Sequence, residues 1–344
     1  MKNTENEVIT SLGRLLHQKQ QSIAVVPHEN PDGDAIGSAV GLAEVLKNQG
    51  HNVYIISPNN YPEFIKWFSS TIEILIYNED KKKSKQLLKS ADILICVDFN
   101  EAGRAGKLEK HILEFNNPRV LIDHHPNPSD FVDYLISEPQ YSSTAELIFD
   151  VFAKMNFAKH INKKAAEAFY TGIMTDTGSF SHNISNPNTF KVIAQMMEFG
   201  IDVEKIQSNV YHNFSTNRMK LLGYCLNNKM EVFPEYRSAF ISISKNELET
   251  FDYQPGDTEG FVNYPLSINN VVFSALFIEK EGFVKASFRS KGGFPANGFS
   301  REHFGGGGHL NAAGGESKLN LDETVAKFKQ LLKQYEHQLK ETEI

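Results

Sequence analysis

Ile23-Ala24-Val25-Val26-Pro27-His28-Glu29-Asn30-Pro31-Asp32-Gly33-Asp34-Ala35-Ile36-Gly37-Ser38 begins as a continuous apolar run, turns polar, and passes into an apolar helix pattern that reaches Leu46. A run without alternation reads as a strand covered on both faces, and a strand that feeds a helix through a short loop is half of a parallel βαβ unit. The pattern recurs: residues 53–56, 93–97 and 120–122 are further buried strands, with 134–136 a weaker one. Helix-period stretches follow at about 143–155, 163–174 and 187–198. The predicted fold class is therefore α/β, a mostly parallel sheet with helices on both faces.

The texture changes near Lys229. Shorter, more alternating strands at 239–243, 271–278 and 283–288 precede a glycine-rich segment and an amphipathic helix carrying Val325, Phe328, Leu331, Leu332, Tyr335 and Leu339. This predicts a second, smaller α/β domain with a mixed sheet. The sequence divides into a domain over 1–200, a polar helical connection over 201–225 and a domain over 226–344, with a cleft expected between the two domains.

Composition bounds what such a chain does. Its 344 residues are 40% hydrophobic and 22% charged, enough for two cores, and the net charge is −7. That lacks the basic excess of a protein that coats long duplex nucleic acid, while a local pocket for a small anion stays open. Two distant cysteines, Cys96 and Cys225, form neither a disulfide framework nor a thiolate zinc site. The amino-terminal stretch has no apolar signal core, and no segment is apolar for the ~20 residues of a membrane helix, so a cytoplasmic, membrane-free protein is expected.

Four elements end in ionisable groups. The first loop presents His28, Asp32 and Asp34; Asp98 closes the apolar run 93–97; Asp123-His124-His125 closes 120–122; Asp176 ends a helical stretch in Met174-Thr175-Asp176-Thr177-Gly178. A parallel sheet gathers the carboxyl ends of its strands on one edge, the usual place for a ligand. Asp32 and Asp34, one residue apart, can point to different sides of a turn and serve different ions; the plainer alternative is a capped turn with Asp34 as the helix N-cap. Oxygen and imidazole donors alone favour manganese- or magnesium-like ions. Ser142, Ser143 and Thr144 before Glu146 read as a helix cap. Arg104 fits the edge of a site and the open surface equally well.

With these motifs in hand, the chain resembles the DHH phosphoesterase superfamily, named for the triplet seen here as Asp123-His124-His125. The resemblance implies a two-metal centre, manganese first with magnesium or cobalt as alternatives. In it His28 and Asp32 would hold one ion, Asp34, His124 and Asp176 the other, and Asp98 would bridge them. It further implies that Asp123 orients a neighbouring histidine and that His125 faces the substrate phosphate, so that His125 and Asp98 are the catalytic pair. The resemblance also implies that the segment from Ser142 to Glu146, read above as a cap, lies near the metals. Phe99 departs from the small polar residue often found at its position, which bears on local packing.

The second domain resembles the DHH-associated domain through Gly305-Gly306-Gly307-Gly308-His309 and Ala312-Ala313-Gly314-Gly315. Successive glycines allow backbone N–H groups to approach an anion. Arg289, Gly306, Gly307, Gly308 and His309 are accordingly the expected substrate-binding residues. This pairing sets the chain apart from family II pyrophosphatases, and its length from full RecJ-type exonucleases. The resemblance narrows to the compact nanoRNase type, which implies hydrolysis of short oligoribonucleotides and of 3′-phosphoadenosine 5′-phosphate. The alternatives are an exopolyphosphatase, a linear or cyclic dinucleotide phosphodiesterase, and a nucleotide-binding regulator without catalysis. A homo-oligomer is left open.

Overall fold

The apolar runs of the first half become parallel strands. A computed structural model describes residues 5–18, 20–70 and 72–343. In it β1 (Ser22–Pro27), β2 (Asn52–Ser57), β3 (Ile74–Ile76), β4 (Ile93–Val97), β5 (Arg119–Asp123) and β6 (Tyr134–Ser137) pair in the order β3-β2-β1-β4-β5-β6, every pairing parallel. Val25 lies opposite Ile55 on one side and Ile95 on the other. Continuous apolarity has its reason here: Ile23, Val25, Ile93 and Ile95 enter one core, while Ala24, Val26, Leu94 and Cys96 enter another on the opposite face. Cys96 is a buried apolar filler whose thiol burial pushes well up, so it stays protonated.

The helices of this region are α1 (Glu5–Leu16), α2 (Gly33–Asn48), α3 (Lys81–Ser90), α4 (Glu109–Leu113), α5 (Thr144–Lys154), α6 (Lys163–Asp176), α7 (Pro187–Glu198) and α8 (Val203–Tyr211). The chain leaves β1 toward β2 on one side and later returns to place β4 on the other. The reversal opens a crevice at the carboxyl ends of β1 and β4. Helices α2 and α6 pack at backbone distance. A side chain at Gly37 would meet the Ala168 carbonyl oxygen at 2.6 Å, and one at Gly172 would meet Asp34 Oδ1 at 2.7 Å. Glycine at these positions brings the first turn of α2 against the last turns of α6.

The chain falls into two compact units, Met1–Asn213 and Phe214–Ile344. The helical stretch 201–225 is divided between them: α8 lies in the first, and α9 (Thr216–Tyr224) in the second. The second unit continues with β7 (Met230–Phe233), β8 (Ser238–Ile243), α10 (Lys245–Thr250), β9 (Phe273–Lys280), β10 (Phe283–Ser290), α11 (Ala296–Phe304), β11 (Gly307–His309), β12 (Ala312–Ser317), α12 (Leu321–Gln334) and α13 (Glu336–Glu341). Its strands pair in the order β11-β12-β10-β9-β8-β7, parallel only between β8 and β9, so this is a mixed sheet. Phe240, Phe273, Phe277, Phe288, Phe299, Phe304 and Phe328 fill the core on one face. Among the described residues no helix is long and apolar enough to cross a membrane.

Candidate metal centre

Each ionisable group stands where an element of the first unit starts or stops. His28 follows β1, Asp98 follows β4, Asp123 ends β5 with His124 and His125 behind it, and Asp176 ends α6. The N-cap of α2 is Asp32, whose Oδ1 accepts from the backbone N–H of Asp34 and of Ala35, both at 3.0 Å. Asp34 is therefore not the cap. Its carboxylate turns across to α5 and accepts from Thr144 N (2.7 Å), Ala145 N (3.0 Å) and Ser38 Oγ (3.2 Å). Asp98 has φ of 67°, left-handed backbone that aspartate tolerates better than most residues.

The side chains converge into two groups that share one member. His28 Nε2 lies 3.6 Å from Asp98 Oδ2 and 3.9 Å from Asp32 Oδ2. His124 Nε2 lies 3.5 Å from Asp176 Oδ2, 3.7 Å from Asp98 Oδ1 and 3.9 Å from Asp34 Oδ2. The donor atoms of His28, Asp32 and Asp98 fall within 4.8 Å of one another, as do those of Asp34, His124 and Asp176. Asp98 thus faces each group with a different oxygen. The far nitrogen of each histidine is already engaged: His28 Nδ1 donates to the Glu29 carbonyl at 2.9 Å, and His124 Nδ1 to that of Tyr141 at 3.2 Å. This tautomer leaves each Nε2 lone pair aimed at the carboxylates, as in metal-binding histidines.

Electrostatics show what the cluster lacks. Burial first, and then the charges of Asp34, Asp32, Asp123 and Asp176, push the Asp98 carboxyl well above the usual range. Burial pushes Asp34 up to about 6, against the pull of His124. Burial holds His28 down and His125 further down, so both stay neutral. The Asp32 carboxyl, unlike those of Asp34 and Asp98, is lowered: His28 and the backbone N–H groups outweigh its burial. Carboxylates packed this closely and this dry call for positive charge from outside the chain. Asp123 adds a second sign. Its Oδ1 accepts from His125 Nδ1 at 2.7 Å, while the fully buried Oδ2 has no hydrogen-bond partner. A hard divalent cation suits this set of oxygen and imidazole donors.

Sequence reasoning reads Thr144 as part of a helix cap, and the family resemblance puts its segment near the metals without giving Thr144 a contact. Ser143 is the cap of α5, accepting Glu146 N at 3.1 Å, and Thr144 turns inward. Its Oγ1 donates to Asp98 Oδ1 (2.9 Å) and accepts from His124 N (3.3 Å). Behind it, fully buried Glu146 accepts from Ser142 N and Oγ (3.0 and 2.6 Å), Thr189 Oγ1 (2.9 Å) and Asn188 Nδ2 (3.2 Å). The Ser-Thr-Ala-Glu spacing signals a cap, but nothing local in it announces contact with residues 34 and 98. Phe99 turns away and stacks on Phe131, ring centroids 6.2 Å apart, in the core beneath the sheet.

In the second unit the glycine run forms one side of a tight hairpin. Gly307–His309 is a strand hydrogen-bonded to β12. A side chain at Gly306 would strike the Gly314 carbonyl oxygen at 1.8 Å, and one at Gly308 (φ 137°) the Ala312 carbonyl oxygen at 2.4 Å. Glycine is needed there for two backbones to close into a sheet. The register sets Arg289 and His309 on either side of Ala312, in one row of three adjacent strands and on the same face. Arg289 Nη1 donates to the Phe288 carbonyl at 2.9 Å.

Known proteins bear on this geometry. The model described as "DHH family, N-terminal domain" matches residues 22–173, and the DHHA1 domain matches 240–339. A crystal structure of an exopolyphosphatase-related protein from Bacteroides fragilis is 41% identical, covers 97% of this chain and 98% of its own, and superposes with a TM-score of 0.91. The bifunctional oligoribonuclease and PAP phosphatase NrnA of Bacillus subtilis is 27% identical over 315 residues, 90% of this chain and 94% of that protein. Its namesake from Thermus thermophilus is 26% identical over 318 residues, 92% of this chain and 91% of the relative.

Proposed function

We propose that this chain, which belongs to the DHH family of phosphoesterases, hydrolyses short oligoribonucleotides and 3′-phosphoadenosine 5′-phosphate with two divalent metal ions. The observation that carries the reading is the pair of donor groups joined at Asp98. His28 and Asp32 would hold one ion and Asp34, His124 and Asp176 the other, with Asp98 between them; manganese is the first choice, magnesium or cobalt the alternatives. Such ions, when bound, lower the pKa of a shared water and draw charge from a phosphate.

The chain's own residues do the rest. Asp98 offers an oxygen to each side and fixes the spacing of the two groups. Thr144 holds Asp98 in that attitude. His125, neutral and donating from Nδ1 to Asp123, turns an unprotonated Nε2 to the phosphate; there it would take a proton from the attacking water, and the imidazolium so formed would steady developing charge and return that proton to the departing alkoxide oxygen. In the second unit, Arg289 and His309 recognise a further part of the substrate, Arg289 by forking onto a phosphate. Recognition by a few side chains in one row suits short chains and asks for no basic surface. Relatives that act on oligoribonucleotides and PAP support this substrate class.

The name of the 41% identical relative favours one second reading, an exopolyphosphatase built on the same centre. Manganese-dependent product release from a 5′-phosphorylated diribonucleotide, a longer RNA, 3′-phosphoadenosine 5′-phosphate and polyphosphate separates the two. Faster turnover of the dinucleotide and the bisphosphate is the expected result. Preference for polyphosphate would retain the centre and overturn the proposed substrate; no turnover with nucleotide still bound would make the chain a regulator.

A further inference from the structure

The cluster described above is rich in acid, and an incoming phosphate is anionic. The strand-end loops hold one cation whose side chain is not otherwise engaged. Arg104 lies in the 3-10 turn Ala102–Leu108, directly after β4 and Asp98. Its carbonyl accepts from Glu29 N at 2.7 Å, and the Glu29 carbonyl in turn receives His28 Nδ1 at 2.9 Å. The backbone of Arg104 is therefore tied to the residue next to a proposed metal ligand. The tie is doubled at Gly106 (φ 55°), where the Glu29 side chain occupies the space a Cβ would need, at 2.5 Å. Ala102, Ala105 and Leu108 are buried beneath the turn, while Arg104 is exposed, as are Gly103 and Lys107.

The side chain has no competing engagement. Several cations of the first unit lean on acceptors, Lys66 on Glu63, Lys83 on Glu73, Lys107 on Asn78 and Arg119 on Asp133, and Lys107 shares the turn of Arg104. Among the described residues the Arg104 guanidinium has neither a carboxylate nor a carbonyl partner. The guanidinium stands exposed on the loop that β4 and Asp98 feed, at the strand-end edge that also carries His28.

We propose that Arg104 is a substrate-binding residue of the first unit, whose guanidinium forks onto non-bridging oxygens of the phosphate brought to His28 and His125. A planar, permanently charged fork matches two phosphate oxygens, whereas a lysine offers only a point charge. The role rests on the phosphoesterase reading and deepens it: the first unit holds the phosphate it cleaves without borrowing charge from the second. A single non-bridging phosphate is enough for this grip, so it serves a nucleotide, a bisphosphate and free phosphate alike.

The test uses the full chain loaded with manganese, as wild type, Arg104→Ala and Arg104→Lys. Inorganic phosphate is titrated calorimetrically, and kcat and KM are measured on whichever phosphoester the wild type hydrolyses fastest. Loss of a charged hydrogen-bonding partner should weaken phosphate binding and raise KM roughly 10- to 100-fold in Arg104→Ala. Manganese content and kcat should change little, and Arg104→Lys should recover part of the loss. Unchanged phosphate affinity and KM in Arg104→Ala, with an active wild type, would overturn the proposal and leave the phosphoesterase reading intact. Loss of manganese from Arg104→Ala would also overturn it, by making the residue structural. A wild type that turns over no phosphoester would sink the function instead, and the phosphate titration alone then decides Arg104.

Discussion

The two units use opposite currencies to build a sheet. In the first, the interior carries ionisable groups: Asp34, Asp98, Asp123 and His124 are each 2% exposed or less. Asp34 accepts from the first backbone N–H groups of α5, Asp98 from the Thr144 hydroxyl and Asp123 from His125, and these bonds hold them in a conformation that is costly without a cation. In the second, the interior is a mass of phenylalanine rings, and the expected substrate contacts, Arg289 and His309, stand in a row on the sheet. The first unit gives up some stability of the metal-free fold to preorganise charge. The second is a stable platform on which contacts are displayed. Chemistry that needs fixed charge belongs in the first kind of setting, and selection among substrates tolerates the second.

The contrast breaks most visibly at Asp98. Asp98→Asn keeps shape but takes charge from both groups, so turnover should fall further than the ~10–100-fold that loss of an outer partner costs, and bound manganese should drop below two ions per chain. Steady-state assays with elemental analysis check this; full activity with normal metal content would refute the bridge. In the second unit Phe288→Ala removes a fully buried ring flanked by Phe273, Phe277, Phe299 and Phe304. It should lower stability by about 3–5 kcal/mol and separate an earlier unfolding transition, while manganese still binds below it. A scan that remains a single shifted transition would mean the units melt as one.

Thr144→Val sharpens the first half of the comparison. It deletes the hydroxyl between Asp98 and His124, so metal affinity or turnover should fall about 10–100-fold with the fold retained. Titration of the apo protein with manganese reads this directly, and an unchanged affinity would return Thr144 to a capping role. Arg289→Ala should leave manganese binding untouched and raise KM about tenfold for the dinucleotide; a change in metal content would contradict the division of labour.

The gentlest probe is pH. Burial pushes Asp34 and Asp123 up to about 6, and their ordinary value is 3.8. Raised carboxyl pKa values mean that the metal-free fold takes up protons before the unfolded chain does. Its stability should therefore rise as pH falls from about 6 toward 4, opposite to the behaviour of an ion-paired acid. Manganese must displace those protons, so its affinity should weaken over the same window. Calorimetry in buffers of different ionisation enthalpy would register the release; none at pH 6 would show that the carboxylates are already ionised.

Much of this was legible in the sequence because strand ends are local events. The run 93–97 announces β4 and puts Asp98 at its end without any knowledge of the partner strands. The three-residue edge strand β3 was missed, being too short to show a period. The contacts of Thr144 were not legible for another reason, although the family resemblance puts its segment near the metals: they depend on residues 110 and 46 positions away, brought near by the close packing of α2, α5 and α6. The glycine run is ambiguous in the sequence because its composition suits both an anion loop and a tight hairpin. Only the strand register, which sets Gly308 against Ala313, separates them.

Position 98 is where mutational freedom is smallest. Its φ of 67° discourages β-branched and bulky residues, and the proposed ion-facing role demands a carboxylate. Glutamate meets the second demand but gains a methylene and loses the short side chain that suits left-handed backbone; asparagine and glycine meet only the first. Directed evolution toward other substrates therefore has no working neighbour to pass through at this residue, and any new specificity in the scaffold must be written elsewhere.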